Sequence, residues 1–333
     1  MAEESKSLSL TPQEIQLRQQ VSKVLLPLIT RLQEAAYQNG PARFVHYTTA
    51  EGALGIIKSK RFWMRNATCM SDYREVQHGF SVINNYFNNP NRKGPFTEAV
   101  DLCGRGTTEE AIALFNRWWN DIQFNTYIAA MSEHDERENV HGRLSMWRAF
   151  GRSPARVGLV FKIPWQIPGV EALNLSFVPV AYLRGDEVDA MLREVMDNIH
   201  KNCDFLRTVD HQRLVSFVFE MFVLYVTCLK HEGFREEREW RALYLPSFRH
   251  SPFIESATEV IDGIPQRVYK IPLDGNAPPG LAELDFSRIF DHLIIGPSQY
   301  PWSMYEAFVD ELTAAGVTGA NEKVCASLIP IRT

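Results

Sequence analysis

The sequence predicts an α+β fold, with a twisted mixed β-sheet at the core and helices packed at its flanks. Three observations point there. Strand-like runs are many, short and irregularly spaced between helical stretches. No regular βαβ alternation and no Gly-rich phosphate loop of Rossmann or Walker spacing is present. The 333 residues are 45% hydrophobic and 23% charged, a soluble balance that can bury a sizeable core in one large domain or two modest ones.

Thr11 and Pro12 open the first helix, a capping residue followed by proline at the first helical position. Val21, Leu25, Leu28, Ile29 and Leu32 recur at helical spacing, Pro27 should kink the helix, and Gly40 closes it. Residues 1–40 therefore read as an N-terminal helical extension to a main domain of residues 41–333. Residues 44–48 form a short β-type run, Thr49 caps a helix through Leu54, Ile56 and Ile57, and 61–64 is a second strand. A loop with Ser71, Asp72 and Tyr73 leads to a helix near Glu75. Residues 88–106, rich in Asn, Pro and Gly, read as an exposed loop. Thr107 and Glu110 have capping-box spacing before a helix through Trp118 and Trp119. A strand at 126–131, a charged stretch at 132–142, a short helix at 144–150 and a strand at 157–163 follow. The rest reads as a strand near 178–183, helices near 185–203 and 209–231, and a strand at 237–245. Further strands are expected at 268–271, 292–295 and 324–329, with a helix at 302–315, and Pro330 stopping the last strand.

Composition narrows the function classes. A formal net charge of −5 argues against coating a nucleic-acid backbone along the whole chain, though a local basic cleft stays open. The five cysteines are dispersed, without the spacing of a zinc knuckle or redox motif, which fits reduced thiols in a cytoplasm. The N-terminus is acidic and has no apolar signal-peptide core. The apolar run 217–229 is interrupted by Glu220 and too short to span a bilayer, so no membrane partner is expected. The nine histidines show no His-x-x-x-His pair, and no Gly-x-Ser-x-Gly elbow exists, so neither a metal centre nor a serine hydrolase is expected.

The strongest chemical signal is Glu237-Arg238-Glu239-Trp240-Arg241. On a strand, Glu237, Glu239 and Arg241 share a face. Buried charges cannot stand unpaired, so these groups either cancel one another or work in a cleft. Paired carboxylates suit chemistry through a sugar oxocarbenium ion; a cross-strand ion network is the structural alternative. His46-Tyr47-Thr48 ends a strand before a helix N-terminus, where ligands are often presented, or else His46 is a core histidine bonded to a carbonyl. Asp72 is either a helix cap or one wall of a pocket. Ser132 ends a strand, and Met146-Trp147 is either core or a flat stacking wall. The charge run 133–138 is a natural lid if a cleft adjoins it. Arg143, Arg148, Arg152 and Arg156 form either a basic cleft or an exposed helix face.

Together these motifs resemble a widespread, mostly bacterial family catalogued as a domain of unknown function. The matching residues are His46-Tyr47-Thr48, Leu54 to Ile57, Phe62-Trp63, Asp72 to Glu75, Ser132, Met146-Trp147 with Gly151 and Gly158, Val180-Ala181-Tyr182, Glu237 to Arg241, and Ile294 to Pro297. Ser71 stands where the pattern has Asn. The match spans about residues 42–300. The opening His-Tyr-Thr, the middle Ser and the late Glu-x-Glu strand are also similar to the ADP-ribosyltransferase layout, closest to nucleic-acid-modifying toxins with a His-x-Thr opening. That resemblance implies a split mixed sheet gripping NAD as the substrate. It implies Glu239 as the catalytic carboxylate on the nicotinamide ribose, Glu237 orienting or deprotonating the acceptor, and Arg241 holding Glu239 or a phosphate. His46 and Thr48 would bind the ribose and nicotinamide end, with Ser132 beside them, and Tyr47, Tyr73 and Trp147 would stack. It further implies a cytoplasmic toxin, toxin–antitoxin or anti-phage defence effector with an antitoxin or chaperone partner, acting on nucleic acid in preference to protein. On that reading Glu239 can be replaced by Gln without harm to the fold, and the acidic strand and His46 must meet in one crevice. The competing expectation is a non-catalytic nucleotide-binding or interaction module of a defence system, with the Glu/Arg face as a structural ion network. A nuclease lacks a clear acidic metal cluster.

Overall fold

The computed structural model describes residues 11–330 except 71–72, 150–154, 165–166, 168, 262, 276–279 and 328; for 73–76 it describes the backbone alone. The chain begins with helices α1 (Pro12–Leu25) and α2 (Pro27–Tyr37), then strand β1 (Ala42–Thr49), α3 (Ala50–Ser59) and β2 (Arg61–Asn66). Helices α4 (Tyr73–Phe87), α5 (Pro90–Asp101) and α6 (Thr107–Phe124) precede β3 (Tyr127–Glu133), α7 (Leu144–Ala149) and β4 (Arg156–Ile163). Short strands β5 (Ser176–Pro179) and β6 (Ala181–Tyr182) lead to α8 (Gly185–Lys201), α9 (Cys203–Leu206) and α10 (His211–Cys228). Then come β7 (Leu229–Lys230), β8 (Glu239–Tyr244), β9 (Glu255–Ile261), β10 (Ile264–Pro272), α11 (Phe286–Ile289), β11 (Phe290–Ile295), α12 (Pro301–Ala314) and β12 (Val324–Ala326).

The expected α+β class with a mixed sheet is observed. Ten strands form it in the order β12-β11-β4-β1-β3-β2-β10-β9, with β8 on β3 and β5 on β8. All pairs in this sheet are antiparallel except β11 with β12. Strand β3 is the pivot. Along one edge it pairs with β8 from Tyr127 to Ser132. On its other edge β2 takes Tyr127 and Ile128, and β1 takes Ser132 and Glu133. Neither ladder reaches Ala129, Ala130 or Met131, so the sheet splits there.

Both faces of the sheet are covered. Strand alternation puts Val45, Tyr47, Ser132, Glu239 and Arg241 on one face, and Phe44, His46, Met131, Trp240 and Ala242 on the other. The first face meets a helical layer centred on α10, whose residues Val218, Met221, Phe222 and Val226 join α4, α5, α6 and α8 in one apolar cluster. The second face belongs to a separate cluster built with α3, α11 and α12.

Several elements differ from expectation for local physical reasons. Pro27 divides the first helix outright, with Leu26 non-helical between α1 and α2. The two pieces are built into the helical layer, since Val21, Val24, Leu25 and Ile29 lie in its cluster and Tyr225 Oη donates to Leu25 O at 2.9 Å. Residues 90–101 are helical, not an exposed loop. Asn89 caps α5, Pro90 sits in its first turn, and Phe96, Ala99 and Val100 are buried at helical spacing. Thr107 does not cap α6; its hydroxyl donates to Gly104 O, and Gly106, with φ of 82°, is the N-cap. Strand β8 starts at Glu239. Glu237 ends a 3-10 turn (Glu232–Glu237), and Arg238 takes a left-handed φ of 43° between them. Strand β9 escaped the sequence reading because its polar, exposed residues alternate too weakly.

Candidate functional site

The late acidic strand is locked in a buried ionic cluster. Glu239 Oε1 accepts from Arg241 Nε at 2.7 Å, and Oε2 accepts from Arg241 Nη2 at 3.2 Å and from Lys230 Nζ at 3.1 Å. Lys230 also donates to Glu237 Oε2 at 2.6 Å, and Arg241 Nη1 donates to Thr227 O at 2.6 Å. Side-chain exposure is 5% for Glu239, 3% for Lys230 and 0% for Arg241, against 26% for Glu237. Burial pushes the Glu239 carboxyl toward protonation, but Arg241 and Lys230 together outweigh it and hold the group ionised. Among the described residues the cluster pairs two carboxylates with two cations. The Lys230 ammonium lies over the Phe234 ring, 4.8 Å from its centroid.

Lys230 is the residue the sequence reading missed. Its signal was available: a lysine placed directly after the apolar run that ends at Leu229, with no solvated turn between them. Glu237 reaches the cluster although it is not on the strand, because the left-handed Arg238 turns the chain back toward Lys230.

His46 occupies the split. Its Nδ1 donates to Ala130 O at 2.9 Å, where a neighbouring strand would otherwise bond, and its ring meets Phe62 edge-on at 4.7 Å. A carbonyl can only accept, so the proton sits on Nδ1. Burial lowers its pKa, against the opposing pull of the Ala130 bond, and keeps the ring neutral at pH 7. Ala130 pairs in turn with Arg241. The imidazole therefore ends one strand away from the acidic cluster. Its Cα–Cβ bond, however, leaves the face opposite to Glu239, and Thr48 shares that opposite face. The expectation that imidazole and carboxylate side chains line one crevice is corrected by this alternation: β3 lies between them.

Other expected site residues divide clearly. Ser132 is buried beside Glu239 in the ladder and shares its face. Tyr47 is not an open stacking wall. Its hydroxyl accepts from Arg143 N at 2.8 Å, burial pushes its pKa up to about 12, and its ring packs perpendicular to Trp147 at 4.8 Å. Trp147 is fully buried and donates Nε1–H to His141 O at 2.7 Å, so it too belongs to the core. Asp72 lies outside the described residues, and so does the side chain of Tyr73.

Among the described residues the arginines do not form a basic cleft. Arg143 donates to Glu138, to Glu133 O and to the carbonyls of Glu236 and Glu237, tying the charged loop to the turn before β8. Arg156 is buried and donates to Trp147 O at 2.7 Å. Arg148 is exposed, and Arg152 lies outside the described residues. The loop expected as a lid is pinned as well: Asp135 and Glu138 form a capping box, and Arg238 bonds Glu138 at 2.6 Å.

A second polar cluster lies where β1 and β11 begin and β3 and β4 end. Arg43 Nη2 donates to Asp291 at 2.5 Å and to Asn139 Oδ1 at 2.8 Å; His292 Nδ1 lies 3.0 Å from Asp291, and Lys162 Nζ 2.7 Å from it. His134, with no side-chain exposure, bonds Asn139 through Nε2 and faces His292, Arg43 and Glu138. Burial, with help from the nearby Arg43 charge, lowers its pKa to about 4. A histidine depressed in the folded state supports folding above its unfolded pKa and loses that support as pH falls from about 6.5 toward 4. Wild type should therefore lose about 2 kcal/mol between pH 7 and pH 5 relative to His134→Gln, by the linkage relation. Urea denaturation of both proteins at the two pH values checks this, and equal losses would refute it.

Among the described residues no group of His, Cys, Asp or Glu could hold a metal, and no helix is long and apolar enough to cross a membrane. No protein-family model, curated protein or solved structure matches the chain.

Proposed function

We infer that this chain is an ADP-ribosyltransferase acting on NAD, with a macromolecular acceptor for which nucleic acid is favoured over protein. What supports the reading is the split at β3 beside an ionised carboxylate on the next strand; His46, on the opposite face, does not join that carboxylate in one crevice. In this reaction the ribose C1′–nicotinamide bond breaks, neutral nicotinamide leaves, and the acceptor nucleophile bonds to C1′ and gives up its proton. A fixed anion beside the ribose stabilises the oxocarbenium character of the transition state. A carboxylate has about four acceptor positions; three on Glu239 are taken among the described residues, and a ribose hydroxyl would have to reach the fourth, on Oε1, in a side chain that is 5% exposed. Glu237, the more exposed carboxylate, is the acceptor-side base in this reading, and Lys230 positions both acids. Arg241 acts through Glu239 as a positioning residue. The toxin or defence setting and an antitoxin partner rest on the family resemblance.

The sealing of Glu239 favours a second reading, a nucleotide-binding module without turnover. Incubating the full chain with NAD and RNA, DNA or protein acceptors, and following nicotinamide release by mass spectrometry, separates the two. The transferase reading expects release that Glu237→Gln lowers by roughly 100-fold, the usual scale for a general base, with a smaller loss of melting temperature than Glu239→Gln because Glu237 is the less buried carboxylate. Calorimetric NAD binding without release supports the second reading. Absence of both binding and release overturns both.

A further inference from the structure

We propose that the sheet carries a second ligand site, for an uncharged aromatic small molecule, on the face opposite to the acidic cluster. A hollow of about 270 Å³ lies there between the sheet, α2 and the chain that follows β4. Its floor is formed by Ala129, Phe161, Trp240 and Ala242, all buried. Its outer end is formed by half-exposed residues, among them Gln33, Tyr37, Val170 and Leu175, so the hollow opens toward solvent beside α2.

Protein interiors leave few voids larger than a water molecule, and unfilled volume costs stability in proportion to its size. Water is a poor occupant, because each molecule needs two to four polar partners. The polar side-chain groups available are few. The Gln33 amide already donates to Phe177 O at 3.2 Å, the Trp240 indole N–H is given to Glu133, and burial keeps the Tyr37 phenol neutral. The volume sits near the small end of ligand pockets, about 300–1,000 Å³, which are typically apolar with a few polar groups fixing orientation.

The lining selects the ligand class. Tyr37, Phe62, Phe161, Phe177 and Trp240 present five aromatic rings, with Met131 among them, which favours a flat ring system. No charged side chain lines the hollow among the described residues, so a carboxylate or phosphate head would be buried without a counter-ion. Gln33, at the open end, suits a single hydroxyl or amide on the ligand. The site needs nothing from the NAD chemistry proposed above.

The test titrates the full chain with N-phenyl-1-naphthylamine, a neutral fluorophore. One-to-one saturable binding is expected, with blue-shifted emission sensitised by Trp240. Ala242→Phe, which projects a ring into the floor, should weaken binding roughly tenfold or more, because it removes most of the contact area. Should that variant fail to fold, competition in the wild type keeps the proposal open to refutation. Naphthalenemethanol should displace the probe, whereas naphthoate, of similar shape, should need roughly tenfold more, because its charge is buried unpaired. A non-saturable wild-type titration, equal displacement by naphthoate, displacement by millimolar NAD, or undiminished binding in folded Ala242→Phe would each overturn it.

Discussion

Glu239→Gln is expected to destabilise the protein by about 3–5 kcal/mol, the range for removing one partner of a buried ion pair. The amide keeps the shape of the side chain and removes its charge. Among the described residues Glu237, the less buried carboxylate of the cluster, is then left to balance the buried Arg241 and Lys230. This reverses the sequence-based expectation that Gln at this position leaves the fold intact. Replacing the sealed members together, as Lys230→Met, Glu239→Leu and Arg241→Met, should recover most of the loss, since well-packed apolar substitutes for buried ion groups are often neutral or stabilising. Urea denaturation measures both changes. A loss below about 1 kcal/mol for Glu239→Gln would place the pair in the range of exposed ion pairs and refute the sealed cluster. The practical consequence is that loss of activity in this variant cannot be assigned to chemistry without a matched stability measurement. Glu237→Gln is the cleaner probe of the transferase reading.

Trp147→Ala should cost about 3–5 kcal/mol, the range for truncating a large buried aromatic. The indole is fully buried, packs on Tyr47, and is enclosed by glycines from three separate segments. A Cβ at Gly142 would lie 2.6 Å from the indole Cζ2, and at Gly296 3.0 Å from its Cε3 and Cζ3; at Gly158 it would lie 3.6 Å from Cη2 and 2.9 Å from Val45. Gly142 also holds a φ of 64°, which side-chain-bearing residues rarely adopt. Gly142→Ala should therefore destabilise through both the contact and the backbone. In a Trp147→Leu background part of that cost should disappear, because the contact has gone while the backbone strain stays. Thermal melts of the two single variants and the double variant form the cycle. Strict additivity would show that Gly142 does not exist to accommodate the indole.

This packing gives a physical reason for one part of the motif pattern. Met146-Trp147, Gly158, Ile294 and Gly296 come from segments far apart in the chain, yet they meet around one ring. The resemblance implies a stacking role for Trp147. The structure gives the same residues a role in holding α7 against β4 and the end of β11, on the face that carries Glu239.

The sequence determined the elements whose signals are local. Thr49 before Leu54, Ile56 and Ile57 predicted α3, where the side chain does cap, and alternating or continuous apolar runs predicted β1, β4 and β11. It also showed that Glu239 and Arg241 share a strand face and need partners, because two-residue periodicity and the cost of burying charge are properties of the chain itself. Tertiary structure alone decided who the partners are and which side of the sheet they occupy. Lys230 arrives at the cluster from the end of α10, His46 is separated from Glu239 by the register of β1 on β3, and the split arises because β1 and β2 share one edge of β3. Register and strand order are set by contacts between residues distant in sequence. A shift of one residue in β1 would exchange its faces without altering any local pattern, so no local reading could have fixed it.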